Sequence, residues 1–78
     1  MKNTLTPREE EILCLIIQEK TSVEIAALLH LSIRTVDTHR KNILRKTKSK
    51  TLIGLMKFAI KAGLIPDFHF KKKTNKHP

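Results

Sequence analysis

The sequence predicts an all-α fold, a bundle of four short helices, and three observations carry that expectation. Apolar residues recur with a helical period, and nowhere do they alternate with the period of a strand. A hydroxyl residue followed three positions later by glutamate, the signature of a helix start, occurs at Thr6 with Glu9 and again at Thr21 with Glu24. Short polar turns separate the periodic segments, and 78 residues make one domain with a small core and little room for a deep catalytic cleft.

The elements follow in order. Thr6 caps the first helix, Pro7 suits its first position and Glu9 completes the capping box, with Glu9, Glu10 and Glu11 near the positive end of the helix dipole. Ile12, Leu13, Ile16 and Ile17 form its core-facing stripe, which ends near Lys20. The second helix opens at Thr21, carries Ile25, Ala26, Leu28 and Leu29 as its apolar residues and stops near His30. Ser32 caps a third helix over about 33–47. Ser49 or Lys50 opens a fourth, about 50–62, through Leu52, Leu55, Met56, Ala59 and Ile60, with Gly63 as its stop. Residues 1–65 thus form one domain, and 66–78 a basic tail that is poor in core formers and expected to be disordered.

Charge narrows the function. The formal net charge of +9 points to a polyanion, either nucleic acid or an anionic membrane face. Five of the seven acids precede Ala26, whereas Arg34, Arg40, Lys41, Arg45, Lys46, Lys48 and Lys50 crowd the middle, so the polyanion should meet the second half of the domain. The single cysteine, Cys14, excludes an internal disulfide framework and sits in an apolar run, as expected of a small buried packing residue. No apolar stretch approaches the ~20 residues that span a bilayer. The opening MKNTLTPREEE lacks a signal-peptide apolar segment, which predicts a cytoplasmic protein. His30, His39, His69 and His77 have no ligand spacing, and neither a nucleophile–base constellation nor a glycine-rich phosphate loop is present. No enzyme activity, metal or cofactor is expected.

The second and third helices read as a pair. Close approach of two helices needs a small residue between them, and Ala26 occupies that place, with Ile25, Leu29, Leu31 and Val36 able to pin the pair from below. Along the third helix Val36, Ile43 and Thr47 define the inward stripe with His39 between, which leaves Arg34, Asp37, Thr38, Lys41, Arg45 and Lys48 on the opposite arc. Two short helices at a fixed angle, the second of them basic, match the geometry that fits a helix into the DNA major groove. A plain solvated face is the alternative for such an arc. The charge asymmetry, the short turn and Ala26 together favour the groove.

The runs LTPREEEILCLI, VEIAALLHLSIRTVDTHRKNILRK and AIKAGLI resemble the LuxR/GerE-type helix-turn-helix domain, a four-helix bacterial transcription-regulator module, over Leu5 to Ile65. The resemblance implies a third helix in the major groove and a fourth that mediates dimerisation. It also implies a place as output domain of a two-component response regulator or as a stand-alone regulator. Its base-facing contacts fall on Arg34, Asp37, Thr38 and Lys41, and Thr35 matches a hydroxyl able to contact phosphate. Ser22 is a further phosphate candidate through its backbone amide, and Arg40, Arg45, Lys46, Lys48 and Lys50 are assigned to phosphate positioning. Many relatives carry a cation at the position of Asp37. An acid there would accept from cytosine N4 or repel non-cognate contacts, or else pair with Lys41 within the helix. His39 matches the family histidine, but its spacing from Val36 and Ile43 predicts a packed or phosphate-adjacent imidazole.

The fourth helix departs from the family, with Leu52 where an arginine is common and Thr47 and Ser49 in place of aliphatic residues. Its apolar residues cover more of the circumference than one core stripe requires, which suggests a second copy docked through Ile53, Met56, Lys57 and Ile60. The alternative is a helix buried more deeply than average, by the tail or by a missing domain. The implied partners are double-stranded DNA, a second copy of the chain, RNA polymerase and a receiver domain outside this sequence, with no membrane. Three rivals remain: a sigma-factor-like promoter-recognition domain, a basic module for anionic membranes and a module for an acidic protein. The SIRTVDTHRKN run favours the LuxR/GerE reading over the first.

Overall fold

The computed structural model describes residues 4–64, which hold four helices: α1 (Pro7–Ile17), α2 (Ser22–Leu29), α3 (Ile33–Thr47) and α4 (Leu52–Lys61). The expected disordered tail lies outside the described residues.

Three helix starts match the sequence expectation. The Thr6 hydroxyl accepts from the Glu9 amide at 3.1 Å and Glu9 Oε1 from the Thr6 amide at 2.9 Å; Thr21 and Glu24 repeat the exchange at 3.1 and 2.8 Å. Ser32 Oγ accepts from the Thr35 amide at 3.0 Å. The fourth start is corrected: the cap is neither Ser49 nor Lys50 but Thr51, whose hydroxyl accepts from the Gly54 amide at 3.1 Å. Ser49 is occupied in closing α3, since its amide donates to the Leu44 carbonyl at 3.1 Å and its hydroxyl turns back to Thr47 O at 3.4 Å.

Each helix also ends in the same way. An amide two or three residues past the last helical residue reaches back five positions, from Lys20 to Leu15, Leu31 to Ala26, Ser49 to Leu44 and Leu64 to Ala59, just after a left-handed residue. This is the Schellman arrangement, which satisfies carbonyls otherwise orphaned at a helix end. Only the last uses glycine, Gly63 at φ 78°; Glu19, His30 and Lys48 adopt φ of 66°, 58° and 56° with side chains present.

The core is built from Ile12, Leu13, Ile25, Val36 and Ile43, all fully buried, with Leu5, Ile16, Ile17, Ala26, Leu55 and Ala59 around them. The α3 helix packs against each of the other three, and α1 also packs on α4. Ala26 is buried on α2, the helix that packs on α3, as the close-approach argument requires. Leu28 departs from expectation and is 54% exposed, because the inward stripe of this eight-residue helix is Ile25, Ala26 and Leu29. On α4, Leu55 and Ala59 are buried and Met56 and Phe58 pack partly on the core. Leu52 and Ile53 remain exposed, Ile53 by 64%. At the corner where the family's aliphatic residues are replaced, the Thr47 hydroxyl donates to Ile43 O at 2.8 Å, so the polar substitutions find backbone partners.

Candidate nucleic-acid interface

The outer arc of α3 has the composition expected of it. Arg34, Asp37, Thr38 and Lys41 are exposed and, with Ile33, line one shallow concavity. Arg45 and Lys48 extend the stripe toward the helix end, where the Arg45 guanidinium donates to Asn42 Oδ1 at 3.2 Å. The Thr38 hydroxyl donates to Arg34 O at 3.1 Å, and Thr35 Oγ1 accepts from the Ser32 hydroxyl at 2.9 Å. Behind this arc Val36 and Ile43 are fully buried, so the stripe is held on a rigid element.

Asp37 has its partner in another helix. The Ser22 hydroxyl, at the first position of α2, donates to Asp37 Oδ1 at 2.7 Å across the α2–α3 junction. The intrahelical pairing with Lys41 is therefore not the one adopted. The carboxylate also lies at the positive end of the α2 dipole, which favours an anion there.

A second concavity forms where the end of α1 and the starts of α2 and α4 meet the middle of α3. It gathers Ser22, Arg40 and Lys50 with four polar residues outside the expected phosphate set, Glu19, Lys20, Thr21 and Thr51. Helices α2 and α4 both begin at this rim, and their N-termini with Arg40, Lys50 and Lys20 outweigh the single carboxylate of Glu19, a balance that favours an anion. Thr51 has no capping-box glutamate at 54 to mark it, and Ser49 two residues earlier offers a competing hydroxyl.

The expected phosphate group divides in space. Lys48 lies with Lys50, Lys57 and Lys61 along a groove floored by Phe58 and Ile60. Lys46 points elsewhere: its ammonium sits 2.9 and 3.2 Å from the two carboxylate oxygens of Glu9 on α1. Glu9 is only 4% exposed. Burial alone would raise its carboxyl, but hydrogen bonds from Lys46 and Thr6 and the Lys46 charge hold it below the ordinary value of 4.5. Lys46 is thus committed to the α1–α3 contact.

His39 is half-buried, and its Nδ1 is buried with no hydrogen-bond partner, the setting of a packed imidazole. Cys14 is half-buried rather than buried; burial and the nearby Glu10 charge push its thiol up, which favours the unreactive protonated form. Among the described residues no group of three His, Cys, Asp or Glu side chains could hold a metal ion, and no helix is long and apolar enough to cross a membrane.

A short α2 crossing beneath a rigid α3 with a cationic outer arc defines a helix-turn-helix DNA-binding module. The chain belongs to the luxR family of bacterial regulatory proteins, whose GerE pattern matches residues 3–59; it is a DNA-binding transcription-regulator domain. It is 50% identical over 62 residues, 80% of this chain and 42% of the relative, to an uncharacterized response regulatory protein, YgeK of Escherichia coli. To the transcriptional regulatory protein MctR of Rhizobium johnstonii it is 41% identical over 61 residues, 78% of this chain and 28% of the relative. To FixJ of Rhizobium meliloti it is 36% identical over 63 residues, 81% of this chain and 31% of the relative. The chain therefore spans less than half the length of these relatives. Their kind favours the LuxR/GerE reading over a sigma-factor domain, and the family is not a catalytic one.

Proposed function

We propose that this chain is the output module of a cytoplasmic response regulator that binds a (pseudo)palindromic operator as a dimer, with α3 in the major groove. The observation that carries the reading is the exposed stripe of Arg34, Asp37, Thr38 and Lys41 directly opposite the buried Val36 and Ile43. A helix ~10–12 Å across fits a major groove ~12 Å wide, and its buried side fixes the angle at which the stripe is presented. Arg34 and Lys41 donate to guanine O6 and N7, and Thr38 donates, accepts or packs on a thymine methyl.

Phosphates on either side of the groove are held by Thr35, Arg45 and Lys48 and by the seat that contains Arg40, Lys50 and the Ser22 amide, with Thr51 and Lys20 added to the expected set. Lys46 leaves that set because Glu9 holds it. The exposed start of α4, centred on Ile53 and flanked by Met56, Lys57 and Ile60, meets its copy across a two-fold axis. That places half-site centres ~10 bp or a multiple apart. A receiver domain and RNA polymerase are the remaining partners, the former supported by the response regulators among the relatives and the fraction of their length that this chain spans.

The test is selection of bound duplexes from a random pool, followed by dissociation constants on the enriched site. Arg34→Ala and Lys41→Ala should each weaken specific binding by roughly 1–3 kcal/mol. Lys48→Ala should weaken all sequences alike and flatten the salt dependence by about one ion. Backbone amide shifts on titration with that duplex should cluster over 34–41; shifts confined to α1 would overturn the assignment.

A further inference from the structure

We propose that Ser22 is a positioning residue for base reading: it holds Asp37 as a fixed hydrogen-bond acceptor facing the groove, and this selects a cytosine in each half-site. The inference rests on α3 being the groove helix. An aspartate on an exposed arc, with Arg34 three residues before it and Lys41 four after, would ordinarily swing to one of these cations. That would cancel an acceptor and a donor together. The structure instead shows Oδ1 engaged by the Ser22 hydroxyl at 2.7 Å, from an element fifteen residues away in sequence. Ser22 lies in the first turn of α2, where the helix dipole reinforces the hold on an anion. Oδ2 is then left to accept from the DNA, and both cations stay available as donors.

The chemistry of the groove limits what Oδ2 can meet. Only cytosine N4 and adenine N6 present donors there, whereas guanine and thymine present acceptors that a carboxylate repels. In the pair, adenine N6 lies between two acceptors, its own N7 and thymine O4, whereas cytosine N4 has one, guanine O6, so a carboxylate fixed in one orientation favours cytosine. Arg34, Asp37 and Lys41 rise along α3 by ~4.5–6 Å from one to the next, one to two base-pair steps. The half-site should therefore present an acceptor, a donor and an acceptor in succession.

The test uses the whole chain on the duplex enriched from the random pool and on its single-base-pair variants. For the wild-type chain, one cytosine should be preferred over each other base by roughly tenfold or more. Asp37→Ala should erase the preference at that position alone. Ser22→Ala should reduce it several-fold while the base preferences at the other positions of the half-site stay as they are, a pattern that mere loosening of the fold would not produce, and Ser22→Thr should restore it. Melting of each variant by circular dichroism shows that it is folded. If Arg34→Ala and Lys41→Ala lose the site but Asp37→Ala keeps every base preference, the inference is wrong and the groove reading stands. If Asp37→Ala erases the preference and Ser22→Ala does not, Ser22 has no positioning role. If no sequence is enriched and all five variants bind alike, the groove reading fails and takes the inference with it.

Discussion

At the scale of single residues, the Glu9–Lys46 pair shows how one cation among many acquires a structural task. Glu9 is nearly closed off from solvent and already accepts the Thr6 amide, so its charge needs a counterion that water cannot provide. Lys46→Met should therefore cost about 2–3 kcal/mol in urea unfolding, toward the lower side for buried pairs because the lysine keeps 26% of its side chain exposed. The pH dependence has a definite sign. The folded carboxyl lies below 4.5, so the unfolded chain takes up its proton first; the stabilisation is present above that value and is lost as pH falls through the folded one. Glu9→Gln should flatten the acid limb of stability below the ordinary value of 4.5, measured by denaturant titration.

At the scale of elements, the helix ends expose a cost that the composition foreshadows. The chain has two glycines, so three of its four left-handed closures are made by Glu19, His30 and Lys48. A side chain in that conformation costs on the order of 1 kcal/mol. Glu19→Gly should accordingly raise stability by up to about 1 kcal/mol in thermal or urea melts. Lys48→Gly should raise it similarly while lowering affinity for DNA of any sequence, since it removes strain together with the phosphate contact proposed for Lys48. A melting temperature that falls in both variants would contradict the strain argument. The helix starts were legible because a cap acts within three residues, and Thr51 escaped because Ser49, two residues earlier, offers a competing hydroxyl that the structure spends on closing α3.

For the whole molecule, the question is which apolar surface the bundle leaves uncovered. The surplus on α4 is less uniform than its pattern implies: Met56 and Phe58 fold back on the core, and Leu52 and Ile53 at the start of the helix carry the exposure. Ile53→Asp should leave monomer stability within about 0.5 kcal/mol, as for other exposed positions. It should abolish cooperative binding to a two-half-site operator while affinity for a single half-site persists. Sedimentation with and without duplex would check this, and an Ile53→Asp variant that still binds as a dimer would remove α4 from the interface.

The order of the helices, three of their four caps and the stripe Arg34, Asp37, Thr38 and Lys41 were determined by the sequence alone, because propensity, capping and helical period act over three or four residues. Tertiary structure decided what joins distant positions. It paired Ser22 with Asp37 and Glu9 with Lys46, separated by fifteen and thirty-seven residues. It brought the starts of α2 and α4 to one rim beside Arg40 and Lys50, and it turned Leu28 and Leu52 outward. The reason is geometric: a helical pattern shows which side chains share a face, but the angle at which helices cross selects the partner that each face meets.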